Sequence, residues 1–388
     1  MSDLLRSTMS ARLAKLPPVP PYDNEEAEEE EGKDSLGSLS LNPPALDSRE
    51  RSTKPNPVLS PLSASTHFDQ AIQVAVPASD LDFRVYITPP VPPKNPNDGK
   101  SSIICAHHGA GYSALSFACL AKAVTEMTDG ELGFMAFDAR AHGKTYSLSN
   151  PPSDPALLDL SLTRLVDDFV NLTTTMYPEP LEAPTFVLVG HSMGGAVFTN
   201  ATPRLLEKKY SIGGVTVLDV VEGSAMEALP HMHQLLASRP EGFPSVERAI
   251  EWHITGSTGS VIHNTLSARL SVPSLFIAPK DGEEGSIAWK WRTPLKSTAP
   301  FWESWFAGLS KSFLAARTAR LLILAGTDRL DRELMIGQMQ GKFQMAVIPD
   351  VGHMLHEDNP EKVSQILVDF WKRNERITLP GIKKVGER

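Results

Sequence analysis

The run Val189-Gly190-His191-Ser192-Met193-Gly194-Gly195 closes an apolar stretch, Thr185 to Val189, and opens a segment of small residues. Glycines two residues either side of a serine let a chain turn from a strand into a helix sharply enough to leave the hydroxyl projecting alone, which is a nucleophile elbow. That feature constrains the fold more than any other, because it demands a strand before the serine and a helix after it. Around it, strand and helix patterns alternate: Ile103 to Ala106, a helix from about Ser113 to Met127, Phe134 to Phe137, a helix from about Leu157 to Tyr177, then Phe186 to Val189. Such alternation predicts an α/β fold with a mostly parallel central sheet flanked by helices. Ile72 to Val76 and Phe83 to Ile87 alternate as the strands of an opening hairpin.

A serine hydroxyl needs a base, an acid that orients the base, and donors for a developing oxyanion, in the chain order serine, acid, histidine. His353 follows the β-like run Ala346 to Ile348 and a glycine turn, so its imidazole can reach over the elbow. His356, beside Glu357 and Asp358, reads as a helix-start or surface residue. Two strand-like runs end in aspartate, Gly214 to Asp219 and Leu321 to Asp328. Both carboxylates would emerge at the C-terminal edge of a parallel sheet, and the generic hydrolase pattern favours Asp328.

The oxyanion donors are expected after Ser102 to Ala106, where His108-Gly109-Ala110-Gly111 makes a small-residue turn. The backbone amides of Ala110 and Met193 are the candidates. Asp138, Arg140 and His142, after the strand Phe134 to Phe137, are read as residues that pin loops by hydrogen bonds. The pair His107-His108 has no further ligand at a useful spacing, so neither a metal nor an organic cofactor is expected.

The chain has 388 residues, 41% of them hydrophobic, which suffices for a full α/β core plus an insertion. Its five organisational segments are an acidic, Pro-rich leader (1–65) expected to be disordered, a first core part (66–222), an insertion (223–318), a second core part (319–376) and a tail (377–388). The insertion, rich in Met, Trp and His, is expected to cap the serine and carry substrate choice. Much of the net charge of −9 sits in the leader, which removes any hint of nucleic-acid binding. Neither a membrane span nor a secretory signal is legible, and Cys105 and Cys119 read as buried thiols. A cytoplasmic or nuclear location is the expectation that follows.

Several stretches sharpen this reading: Gly190 to Gly195, Leu218-Asp219-Val220-Val221-Glu222-Gly223-Ser224-Ala225-Met226, Ala325 to Asp331, Ile336 to Met345, and Gly352 to Asp358. Together they resemble the protein phosphatase methylesterase family over about residues 66 to 375. The resemblance implies an α/β hydrolase that removes the methyl ester from the C-terminal leucine of the type 2A phosphatase catalytic subunit. It also implies a triad of Ser192, Asp219 and His353, overruling Asp328, which stays as the alternative acid. The sequence departs from the family pattern at Ala110, where a glycine is usual, and at Tyr112, where a histidine is usual. Of the long acidic insert some relatives carry, only Pro279 to Glu284 remains. A small-molecule esterase or lipase of the same fold and a non-catalytic phosphatase-binding protein are the rival readings.

Overall fold

The computed structural model describes residues 56–92, 100–149, 158–255, 261–280, 285, 287–326 and 330–375. Twelve strands follow in chain order: β1 (Gln70–Val76), β2 (Leu81–Thr88), β3 (Ser102–His107), β4 (Leu132–Phe137), β5 (Tyr146–Ser147), β6 (Thr185–His191), β7 (Ile212–Leu218), β8 (Gly242–Phe243), β9 (Phe276–Ile277), β10 (Trp289–Trp291), β11 (Ala319–Leu324) and β12 (Gln344–Val347). The main sheet runs β1-β2-β4-β3-β6-β7-β11-β12, with β5 on the side of β2. From β4 to β12 every neighbour is parallel, while β1, β2 and β5 form the antiparallel end.

Alternation along the central strands explains why the sheet is buried on both faces. Ile103, Cys105, Phe186 and Leu188 point into one apolar layer. Ile104, Ala106, Val187 and Val189 point into the other. The first layer is covered by helices Leu162–Met176 and Met193–Glu207, the second by Ala118–Met127 and Pro360–Asn374. Both cysteines are free and buried.

Between β7 and β11 the chain leaves the sheet. Helix Glu222–Ser238 is followed by short helices, by the small antiparallel sheet β8-β10-β9, and by helices Trp302–Phe306 and Leu309–Ala315. A third apolar cluster, built on Phe243, Ile250, Ile262, Val272 and Phe276, gives this region its own core.

Two sequence expectations need correction. The composition places the leader up to residue 65, yet Leu59 is buried in the third cluster. The backbone of Leu62 donates to the Arg269 carbonyl while Arg269 Nε donates to that of Ser60. A stretch too polar to fold by itself is thus held by one apolar anchor and two long-range hydrogen bonds. Residues 1–55 and 376–388 lie outside the described residues. His356, expected at a helix start or on the surface, does lie in the first turn of helix Leu355–Asp358, but it is fully buried: its ring stacks on Phe117 at 4.5 Å, a contact invisible in local sequence. No helix among the described residues is long and apolar enough to cross a membrane.

Candidate active site

Every candidate residue in the described chain sits just past the C-terminal end of a parallel strand, where an open α/β sheet gathers its ligands. Ala110 follows β3, Ser192 follows β6, Asp219 follows β7 and His353 follows β12. Ser192, Asp219, His353 and Ala110 line one cavity of about 210 Å³. Asp328 lies outside the described residues.

The elbow is built from close backbone approaches. A Cβ on Gly190 would come within 2.2 Å of the Gly194 carbonyl oxygen, and one on Gly194 within 2.2 Å of that of His107. No side chain fits at either place. Ser192 itself stands at φ 51°, ψ −119°, a left-handed conformation that L-residues adopt only when their surroundings force it. Its amide donates to Leu218 O at 3.0 Å, tying the elbow to the end of β7.

Asp219, also at positive φ (50°), is held the same way. Its amide donates to Ile323 O at 2.8 Å. Its carboxylate is shared: Oδ1 accepts the Ala325 amide at 2.7 Å, and Oδ2 accepts His353 Nδ1–H at 2.7 Å. This fixes the imidazole with its proton on Nδ1 and leaves Nε2 as the basic nitrogen. Ser192 Oγ makes no hydrogen bond to any described residue.

The loop carrying His353 is fastened from beneath. Buried His191 donates from Nε2 to the His353 carbonyl at 2.8 Å. Its ring packs at 4.6 Å from those of both His353 and His356. Burial holds His191 far below the usual histidine range, so it is a neutral donor. Gly109 is required here, since a Cβ at that position would lie 2.8 Å from His191 Nδ1. On the other side of the loop, Asp358 accepts the amides of Gly352 and His263, both at 2.7 Å.

The turn after β3 is pinned by histidines. His108 Nε2 accepts the Ala139 amide and His142 Nε2 accepts the Gly111 amide, at 3.0 and 2.9 Å. Burial lowers all three of His107, His108 and His142, the first and last to about 4. Arg140 pairs in two places with Asp168, and Asp138 accepts the amides of Ala114 and Lys144. These groups spend their donors and acceptors on loops, as the sequence suggests. Ala110 keeps a negative φ while Gly111 takes the left-handed one, so this turn tolerates an alanine at 110. The amides of Ala110 and Met193 have no acceptor among the described residues, which leaves both donors available. No group of three His, Cys, Asp or Glu among the described residues is arranged to hold a metal ion.

The roof comes from the insertion between β7 and β11, whose lining residues sequence reasoning does not single out. Helix Glu222–Ser238 lays Ala225, Ala228, Met232 and Leu235 over the cavity, and Trp305 and Phe306 close its side. Glu222 clamps the two parts together: its carboxylate accepts the amides of Gly308 and Ser310 at 2.8 and 2.9 Å. Ser310 in turn donates to Asp331, which caps helix Arg332–Met339. The segments around Glu222 and Asp331 therefore meet through the roof. Nothing in either segment alone signals that meeting.

Residues 103–366 match the Alpha/beta hydrolase family. Protein phosphatase methylesterase 1 of Cryptococcus neoformans is 48% identical over 343 residues, covering 82% of this chain and 79% of that protein. The Aspergillus fumigatus protein of the same name is 42% identical, covering 100% of this chain and 92% of its own length. Among solved structures, E-2-(acetamidomethylene)succinate hydrolase overlays with a TM-score of 0.58 at 16% identity, covering 78% of this chain and all of that one. An esterase of Mycobacterium tuberculosis does so at 0.54 and 16%, covering 78% and 92%. These two likenesses speak to the fold alone, whereas the methylesterase matches, at 42–48% identity over 82–100% of this chain, show the family. The chain is a serine hydrolase and belongs to the protein phosphatase methylesterase family of α/β-hydrolase carboxylesterases.

Proposed function

We propose that Ser192, Asp219 and His353 are the catalytic triad, and that the substrate is the methyl ester on the C-terminal leucine of the type 2A phosphatase catalytic subunit. The observation that carries the triad is the 2.7 Å hydrogen bond from His353 Nδ1 to Asp219 Oδ2 in a cavity shared with Ser192. Family membership supports the substrate, and the cavity supports it too. At about 210 Å³, lined by Val220, Val221, Ala225 and Leu235, it is smaller than the roughly 300–1,000 Å³ of a pocket that swallows a whole small molecule. It suits the apolar end of a longer chain.

In the reaction, His353 Nε2 takes the Ser192 proton as Oγ attacks the ester carbonyl. The contact between them tightens as substrate seats, as is common in hydrolases whose unliganded geometry is loose. Asp219 keeps the proton on Nδ1 and stabilises the imidazolium. The tetrahedral oxyanion is held by the amides of Ala110 and Met193, whose donors are otherwise unspent. Protonated His353 delivers its proton to the methoxide oxygen and methanol leaves. A water deprotonated by the same nitrogen then attacks the acyl-enzyme, which collapses to free carboxylate and Ser192.

The test is methanol release from methylated phosphatase, with wild type against Ser192→Ala. Stoichiometric methanol from the wild type and none above background from the variant supports the proposal. Hydrolysis of small acetate esters without methanol from the phosphatase would favour the small-molecule esterase. Binding of the phosphatase with no hydrolysis of either would favour the non-catalytic reading.

A further inference from the structure

Arg239 directly follows the helix that roofs the cavity, at its C-cap, and is half-buried rather than displayed to solvent. The arginines at 140, 204, 248, 269, 292 and 320 each donate to a carboxylate or a carbonyl. Arg239 has no ion pair and no hydrogen bond among the described residues. Its guanidinium carbon instead lies 3.6 Å from the centroid of the Trp291 ring. The stack is held from both sides, since Trp291 Nε1–H donates to Pro240 O at 2.7 Å and the ring packs at 4.3 Å against Phe276. A cation over an indole face gains from the ring's electron density, and its N–H edge stays free to meet an anion.

Its position points the same way. Ala228, Met232 and Leu235 line the cavity at helical spacing, and the next position of that stripe is 239. Tyr112, on the cavity wall, is electrostatically coupled to Arg239, and its hydroxyl too lacks a partner among the described residues. Tyr112, which lines the cavity, and Arg239, one step beyond the lining stripe of the helix, are thus two donors without acceptors among the described residues. Burial pushes the Arg239 guanidinium down to about 10, which leaves it charged at neutral pH while removing water that would otherwise solvate it. A half-buried charge in that state is stabilised by an incoming anion.

We propose that Arg239, with Tyr112 beside it, is a subsite for the carboxylate of an acidic residue upstream of the esterified terminus. The proposal rests on the reading of the substrate as a polypeptide end. A singly charged carboxylate fits better than a phosphate, because one cation faces the site and the carboxyl groups of Glu357 and Asp358 also act on Tyr112. From Ala228 to Arg239 the helix rises on the order of 16 Å, the span of about five extended residues. The acidic side chain therefore belongs within the six residues before the ester.

The experiment uses the full chain and neutral peptides ending in leucine methyl ester, with a single aspartate or asparagine scanned through those six positions. kcat/KM from methanol release should show one position where aspartate exceeds asparagine by about tenfold. Arg239→Gln should bring that ratio to about one and Arg239→Lys should keep part of it. The ratio is internal to each protein, so a general loss of activity cancels. Should Arg239→Gln fail to fold, raising the salt concentration on the wild type must shrink the same ratio. A flat scan, or a ratio unchanged in Arg239→Gln, overturns the subsite and leaves Arg239 as a brace for Trp291. If no peptide ester is cleaved, competition by the free-acid peptides against a small acetate ester decides: tighter inhibition by the aspartate peptide keeps the subsite while the substrate reading falls, and equal inhibition ends both.

Discussion

The floor and the roof of the cavity are built by different physics. On the floor, backbone groups do the positioning: Ser192 and Asp219 are forced to positive φ, and Ser192 N, Asp219 N, Ala325 N and Gly352 N each have a defined acceptor within 3.0 Å. On the roof, position comes from packing. Strands of two or three residues, an aromatic group around Phe243, Trp252, Phe276 and Trp291, and the Glu222 clamp carry the load. A floor of this kind tolerates almost no change in geometry, while a roof of this kind can be repacked. Chemistry and substrate choice are accordingly assigned to different parts of the molecule.

Among changes to the packing of floor and roof, the largest effect should come from breaking the floor where it is tightest. Gly194→Ala places a Cβ 2.2 Å from the His107 carbonyl oxygen, and β3 and the elbow cannot both stay in place. Loss of soluble protein, or at least about a hundredfold loss of esterase activity, is expected. Gly308→Ala on the roof meets nothing within 4 Å and carries only the left-handed penalty of about 1–2 kcal/mol, so a small drop in melting temperature with activity retained should be seen. Equal effects at the two glycines would erase the distinction.

Next in size is Trp291→Ala. Removing an aromatic that packs against Phe276 and carries Arg239 should approach the roughly 3–5 kcal/mol of a buried aromatic truncation. Denaturant unfolding would report it. In kinetics the same variant should raise KM for a peptide ester several-fold and leave kcat nearly intact; a fall in kcat alone would place Trp291 with the floor.

The smallest effect concerns pH. Burial raises Glu357 to about 8 despite hydrogen bonds from Ser267 and Ser271. A carboxyl raised on folding contributes stability that is fully present below about 4.5 and is lost as pH climbs through 8. The buried rings of His107, His142 and His356 work in the opposite sense. Lowered to about 4, 4 and 3, they contribute stability that is present above 6.5 and lost as pH falls toward those values. Glu357→Gln should flatten the alkaline limb of a melting-temperature profile between pH 5 and 8 by several degrees, with the acid limb unchanged. An unchanged alkaline limb would show that Glu357 does not govern it.

What was legible in the sequence follows the same division. The alternation of Ile103 to Ala106 and Phe186 to Val189 is a local pattern, and both runs became parallel central strands. The elbow glycines and the final helix at Pro360–Asn374 are local signals as well. The acid is ambiguous in the sequence because two strand-like runs lead into an aspartate, Asp219 and Asp328. What favours Asp219 geometrically is its bond to His353, 134 residues away. The helix start at His356 is legible but its burial is not, because that comes from Phe117, and the lining residues Trp305 and Phe306 are not assignable from sequence because the roof folds back from over eighty residues beyond β7. The role of His191 had a readable address, next to the serine, but its partner carbonyl lies 162 residues downstream.

The central claim is that Asp219 orients the catalytic histidine. Turnover of one methyl ester at one pH should be compared for Asp219→Asn and Asp328→Asn, each with its melting temperature. Loss of the carboxylate that fixes the tautomer and stabilises the imidazolium should cost on the order of 10⁴ in kcat, as it does in serine protease triads. Asp328→Asn should cost about tenfold or less, in the range of a structural loop residue. A dead Asp328→Asn beside an active, folded Asp219→Asn would contradict the account and return the acid to the end of the later strand.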